Sequence, residues 1–139
     1  ELLADIRGVV QALRNERGLD LETALRALAA PLPRPALALR IDDDVRVTDP
    51  GTAEVLLRLV QEALTNAARH ADANRLSVHL RRDGAEVVLH MEDDGRIKGA
   101  IREGNGIAGM RERIAALGGR FELGAAARGG LRIDARLPA

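Results

Sequence analysis

Glu62, Asn66 and His70 recur every four residues within "LVQEALTNAARHA", Leu59 to Ala71. In a helix that spacing places a carboxylate, an amide and an imidazole on one face, a turn apart. Asn suits a helix interior poorly because its amide competes for backbone hydrogen bonds, so a segment that carries one there has a use for the side chain. The amide oxygen suits magnesium, a hard cation whose octahedral oxygen shell is completed by water and phosphate. Glu62 can orient a metal-bound water or accept a proton, while Arg69 and His70 can meet phosphate oxygens. The same spacing also describes a plain solvated helix face.

Two further stretches carry chemistry. In "EDDGRIKG" two acids and a glycine leave the end of a strand; this is a common turn composition, and a carboxylate so placed can also accept the exocyclic amine of adenine. In "GNGIAG", Gly104 to Gly109, glycines run into a helix start, where backbone N–H groups and the helix dipole can hold phosphate. The segment is neither a P-loop, since it lacks the lysine, nor a dinucleotide fingerprint, since no strand leads directly into it.

The elements that must position these residues are legible from periodicity. Residues Glu1 to about Asn15 put Leu2, Ile6, Val9 and Leu13 on one stripe and start without a cap, which reads as the tail of a preceding helical element. Asp20 caps "LETALRALAA", which "PLPRP" ends. "ALALRI" reads as a strand, "DDD" as its break and "VRV" as its resumption. Asp49 and Pro50 then open a helix running to about Ala71, with Val55, Leu56, Leu59, Val60, Ala63, Leu64 and Ala67 on its buried side. "RLSVHLRRDGAEVVLHMED" reads as a hairpin turning at Asp83-Gly84. Five of the 14 glycines fall between Asp93 and Gly109, where regular structure stops. A helix from about Ile107 to Leu117 and a second hairpin finish the chain. This order predicts an α+β two-layer sandwich, a mixed and mostly antiparallel sheet covered on one face by helices.

Composition removes several function classes. At 139 residues and 46% hydrophobic the chain has the balance of one globular domain. Lys plus Arg and Asp plus Glu number 21 each, and a single Phe is the whole aromatic content, so neither a basic field nor stacking rings argue for a nucleic-acid partner. No cysteine is present, which excludes disulfides and thiolate metal sites. No apolar run approaches the roughly 20 residues of a membrane span.

In their order along the chain, the polar helix face, the strand-end acid and the glycine segment opening a helix resemble the N box and the two glycine boxes of sensor histidine kinases. The resemblance is to their catalytic ATP-binding domain, of the Bergerat or GHKL type, in the subfamily of nitrate-sensing and lipid-fluidity-sensing kinases. It rests on "QEALTNAARHA", "EDDGRIKG" and "GNGIAGMRERIAALGG", and covers about Asp49 to Pro138. It implies ATP and magnesium as ligands, with Asn66 as the metal ligand and, with Glu62, a catalytic residue. It makes Asp93 the adenine-reading carboxylate, and assigns further nucleotide contacts to Arg69, His70, Gly95, Gly99, Gly104, Asn105, Gly106, Ile107, Gly109 and Met110. Two positions depart from the family pattern: Ile97 stands where a second glycine is usual, and Gly130-Leu131 where Gly-Thr is, which predicts a stiffer lid and weaker ATP binding.

The subfamily phosphorylates a histidine followed by an acid on an upstream helix, and His70, His79 and His90 do not fit that pattern. The resemblance therefore implies that residues 1–18 close the helical dimerisation and phosphoacceptor region and that 19–139 form the catalytic domain. The partners implied are that helical region, in a homodimer of the full protein, and a response regulator, with no nucleic acid and no membrane contact by this segment. The location implied is cytoplasmic, in a parent protein that can carry a membrane anchor. The alternatives on the same fold are a serine kinase or ATPase, and a degenerate nucleotide-binding module.

Overall fold

The computed structural model describes residues 14–15, 18–69, 73–96, 105–127 and 129–139. In chain order these form strands β1 (Arg14–Asn15) and β2 (Gly18–Leu19), helix α1 (Leu21–Ala29), strand β3 (Ala36–Ile41) and helix α2 (Pro50–Arg69). Strands β4 (Arg75–Asp83) and β5 (Glu86–Asp93), helix α3 (Asn105–Ala116), and strands β6 (Arg120–Ala125) and β7 (Leu131–Pro138) follow. β1 and β2 pair antiparallel, so the expected opening helix does not reach Asn15, and residues 1–13 lie outside the described set. No described helix is long and apolar enough to cross a membrane.

The other strands form one sheet in the order β3-β4-β5-β7-β6, with β3 parallel to β4 and every other pair antiparallel. Alternation along each strand divides the sheet into two unlike faces. Leu76, Val78 and Leu80 of β4, Val87, Leu89 and Met91 of β5, and Ile133, Ala135 and Leu137 of β7 are buried in one core with Leu25 of α1, Leu56, Leu59, Val60 and Leu64 of α2, and Ile114 of α3. Between them, Ser77, His79, His90, Glu92, Arg132, Asp134 and Arg136 point the other way and are half-buried or exposed. The mixed two-layer architecture is the expected one.

Helix ends are set by short polar devices. Asp20 accepts from Thr23 N–H (3.1 Å) and its hydroxyl (2.8 Å), capping α1. Asp49 accepts from Thr52 N–H (3.2 Å) and hydroxyl (3.1 Å), capping α2. α3 ends in a Schellman turn: Gly118, at φ +81, donates to Ala115 O (3.0 Å) and Gly119 to Ile114 O (2.8 Å). Two local expectations change. The hairpin loop is Gly84–Ala85, not Asp83-Gly84, because Asp83 still pairs with Glu86 and Gly84 takes the positive φ (+63). Val45 and Val47 are buried core residues but belong to no strand; burial, not sheet pairing, explains their hydrophobicity.

The direction of each helix decides what meets at each end of the sheet. α2 begins beside the last residues of β7, where the Thr52 hydroxyl donates to Pro138 O (3.0 Å). It ends near the start of β4, with Ala73 N–H donating back to Ala67 O (3.2 Å). Leu76 pairs with Asp93, so the first turn of β4 lies beside the last residues of β5. Arg113 near the end of α3 approaches Glu54 near the start of α2 (3.9 Å), so the two helices run antiparallel. The C-terminal end of α2, the C-terminal end of β5 and the N-terminal end of α3 therefore gather at one end of the sheet, on its helix-covered side.

Candidate functional site

The polar stripe of α2 has two halves. Glu54, Arg58, Glu62 and Asn66 follow one another at one-turn spacing and all are half-buried. Arg58 binds Glu54 (3.2 Å), and Arg113 of α3 adds a longer contact, so the first half is satisfied within the protein. Glu62 and Asn66, at the end where β5 stops, have no hydrogen bond or ion pair with described residues. Arg69, one turn on, is exposed and likewise unpaired among them. His70 lies outside the described residues.

The two acids after β5 separate sharply. Asp93 is 6% exposed and stands on the helix-covered face; its Oδ1 accepts from Gly95 N–H (2.9 Å), and no described residue donates to Oδ2. An ionised carboxylate is costly to bury with so few donors, and such an oxygen is fitted to accept a hydrogen bond from a ligand. Gly130, at the start of β7, is the condition of this arrangement. A Cβ there would overlap the Asp93 backbone oxygen and Oδ1, so the missing side chain leaves the space the carboxylate occupies. Asp94 instead is exposed, and its Oδ1 accepts from the backbone N–H groups of Asn74 (2.8 Å) and Arg75 (3.0 Å). Those bonds, the Arg75 N–H first among them, hold its carboxyl below the ordinary 3.8.

The glycine segment was expected to be irregular as far as Gly109, with a helix from about Ile107. α3 in fact begins at Asn105, so Asn105, Gly106, Ile107 and Gly109 belong to helical turns. Their backbone N–H groups include the unsatisfied donors of a helix start, at the positive end of its dipole. Gly109 has open space where a Cβ would stand. Met110 is buried in the core, where it anchors α3. Gly95 is buried beside Asp93, whereas Ile97, Gly99 and Gly104 lie outside the described residues.

Thus Glu62, Asn66, Asp93, Gly95 and the first turn of α3 share one end and one side of the sheet. The two histidines in strands are elsewhere: His79 Nε2 lies 2.9 Å from Asp42, and His90 is bracketed by Asp134 (2.5 Å) and Glu92 (3.2 Å) on the opposite face. The hydrogen bonding of Asp42 to His79 holds the Asp42 carboxyl below its usual range. Gly130 and Asp94 are the residues whose parts the sequence did not disclose. For the first, the family's Gly-Thr position marked the residue but not that it clears space for Asp93; the second depends on a partner 19 and 20 positions away.

Residues 51–139 match the family described as histidine kinase-, DNA gyrase B-, and HSP90-like ATPase. Among curated proteins, the chain is 32% identical over 142 residues to the sensor histidine kinase YxjM of Bacillus subtilis, covering 99% of this chain and 35% of that protein. It is 30% identical over 146 residues to the signal transduction histidine-protein kinase/phosphatase UhpB of Salmonella typhimurium, covering 94% and 29%. The chain thus spans about a third of the length of these relatives. Among solved structures, it resembles the histidine kinase domain of the Erythrobacter litoralis EL346 blue-light activated histidine kinase (TM-score 0.68, 22% identity, 96% of this chain and 69% of that one). It also resembles the ATP binding domain of PrrB from Mycobacterium tuberculosis (TM-score 0.65, 23% identity, 86% and 90%). At these identities the structural likeness is one of fold.

Proposed function

Since the chain belongs to the family of histidine kinase-, DNA gyrase B- and HSP90-like ATPases, we propose that it is the ATP-binding catalytic domain of a sensor histidine kinase, transferring the γ-phosphate to a histidine of an upstream helical domain. The observation that carries this reading is Asp93: a buried carboxylate cleared by Gly130, with one oxygen that accepts from no described residue, at the sheet end that Asn66 also reaches. Those features fit a purine nucleotide with a metal on its phosphates. Asp93 takes the exocyclic amine of the base. Asn66 offers its amide oxygen to magnesium, Glu62 orients water in the metal's shell, and the N–H groups opening α3 hold phosphate. Bound magnesium supplies neutralisation of the phosphate charge.

The protein's own contribution is placement. α2 and α3 hold the phosphates in line with an incoming imidazole; its nitrogen bonds the γ-phosphorus as the bond to the β,γ-bridging oxygen breaks and ADP leaves. In this reading residues 1–18 belong to the phosphoacceptor region of a homodimeric parent protein, 19–139 form a cytoplasmic catalytic domain, and a response regulator receives the phosphoryl group. With no acceptor histidine in the chain, it binds ATP without phosphorylating itself. Calorimetric titration with Mg-ATP tests the assignment. Asn66→Ala is expected to lose the magnesium-dependent part of binding with its thermal midpoint unchanged, and Asp93→Asn to weaken ATP and ADP alike. Parent-like affinity in both variants would overturn it.

A further inference from the structure

We propose that Asp94 is a positioning residue that straps the exit of α2 to the strand end carrying Asp93, and so sets where the base-reading carboxylate stands relative to Asn66. The proposal rests on the nucleotide reading above and assigns a separate task to the second acid of "EDDG".

The geometry is that of a clasp. Oδ1 of Asp94 accepts from two consecutive backbone N–H groups, Asn74 and Arg75, and Asp94 N–H donates back to Arg75 O (3.2 Å). Asn74 and Arg75 are the residues through which the chain leaving α2 enters β4. The same corner is gripped from its other side: Ala36 N–H donates to Asn74 O (2.8 Å), and Arg34 Nη1 donates to Asn74 Oδ1 (3.2 Å). The corner is thus a fixed point, and Asp94 is the side chain that ties the end of β5 to it. Hydrogen bonds from N–H to a carboxylate are roughly twice as strong as neutral ones, so the clasp outweighs an ordinary turn contact. Asp93 immediately precedes it. Without the carboxylate, the end of β5 keeps its ladder to β4 and the backbone bond from Asp94 N–H to Arg75 O, but loses the two bonds that tie the side chain to the corner.

A strap acting through Asp93 makes a prediction that general loosening does not. ADP binding without magnesium, measured by calorimetry, reads the site with the metal's contribution through Asn66 removed and the base contact of Asp93 kept. Asp94→Ala is expected to weaken it about tenfold, as loss of charge-assisted bonds implies. Asp94→Asn, which keeps an acceptor oxygen, is expected to recover most of that loss. Once Asp93→Asn has removed the reader, Asp94→Ala should add less than about twofold, a non-additive cycle. Parent-like binding by Asp94→Ala, or losses that add in the double variant, would overturn the strap. If the alanine variant fails to fold, Asp94→Ser, which removes the carboxylate but keeps a polar side chain, decides through the same cycle. A parent that binds no ADP, or whose Asp93→Asn variant binds as the parent does, overturns the nucleotide reading and the strap with it. A loss in Asp93→Asn without one in Asp94→Ala overturns the strap alone.

Discussion

At the scale of single residues, neighbouring side chains of the same type do opposite things because strand geometry points them apart. Asp93 faces inward at 6% exposure; Asp94 faces outward and holds backbone. From sequence, one acid of the pair could be singled out only through family resemblance, since two acids before a glycine are compatible with any turn. Asn66 was legible for a physical reason: a poor helix former inside a strong helix signals a use for its side chain. Gly130 was not, because what it clears is a residue 37 positions earlier, brought near by the β5–β7 pairing. Gly130→Ala is expected to cost about 1–3 kcal/mol by overpacking, divided between stability and nucleotide affinity. Thermal melts with and without ADP would separate the two parts; an unchanged melt and unchanged affinity would remove Gly130 from the site.

At the scale of elements, starts and stops were more legible than the segments between them. Both predicted N-caps, Asp20 and Asp49, hold their helices, since a cap is a local contact three residues long. Asp49→Ala should cost about 1 kcal/mol and lower the thermal midpoint by about 3–5 °C. A larger fall would mean that the Thr52 hydroxyl, which also bonds Pro138 O, goes with it. Gly118→Ala at φ +81 should cost a similar amount, because L-residues occupy that region at about 1 kcal/mol. The start of α3 was misjudged by two residues, since glycines lower local helix propensity while tertiary contacts of Met110 and Ile114 hold the helix in place. "VRV" shows the converse: two buried valines around a polar residue satisfy a strand's period without sheet pairing, because the core takes their side chains from an irregular segment.

At the scale of the whole molecule, the two-layer order followed from the pattern of elements, whereas strand order did not, since the parallel β3–β4 pairing and the placement of β7 between β5 and β6 are long-range choices. The charged face contributes in a pH-dependent way. Asp83 has its carboxyl lowered by the hydrogen bond from Arg136, as Asp20 has by Thr23 and Asp94 by backbone N–H groups. A carboxyl whose folded pKa lies below its unfolded 3.8 contributes stability that is complete above 3.8 and fades as pH falls through the folded value. The thermal midpoint should therefore hold steady through the mildly acidic range and fall below about pH 4, and Asp94→Asn should flatten part of that fall. A midpoint unchanged at pH 3 would show that these carboxylates carry no net stabilisation.

The parallel seam between β3 and β4 also bears on how small the unit can be made. The family match begins at residue 51, yet Leu21, Leu25 and Leu28 of α1, with Val45 and Val47, lie in the same core as α2, and β3 covers the outer border of β4. A fragment trimmed to the match would shed those leucines and the Asp49 cap, and would bare a row of backbone donors and acceptors along β4 that another copy can template upon. Sedimentation should accordingly show more self-association for a 51–139 fragment than for residues 1–139.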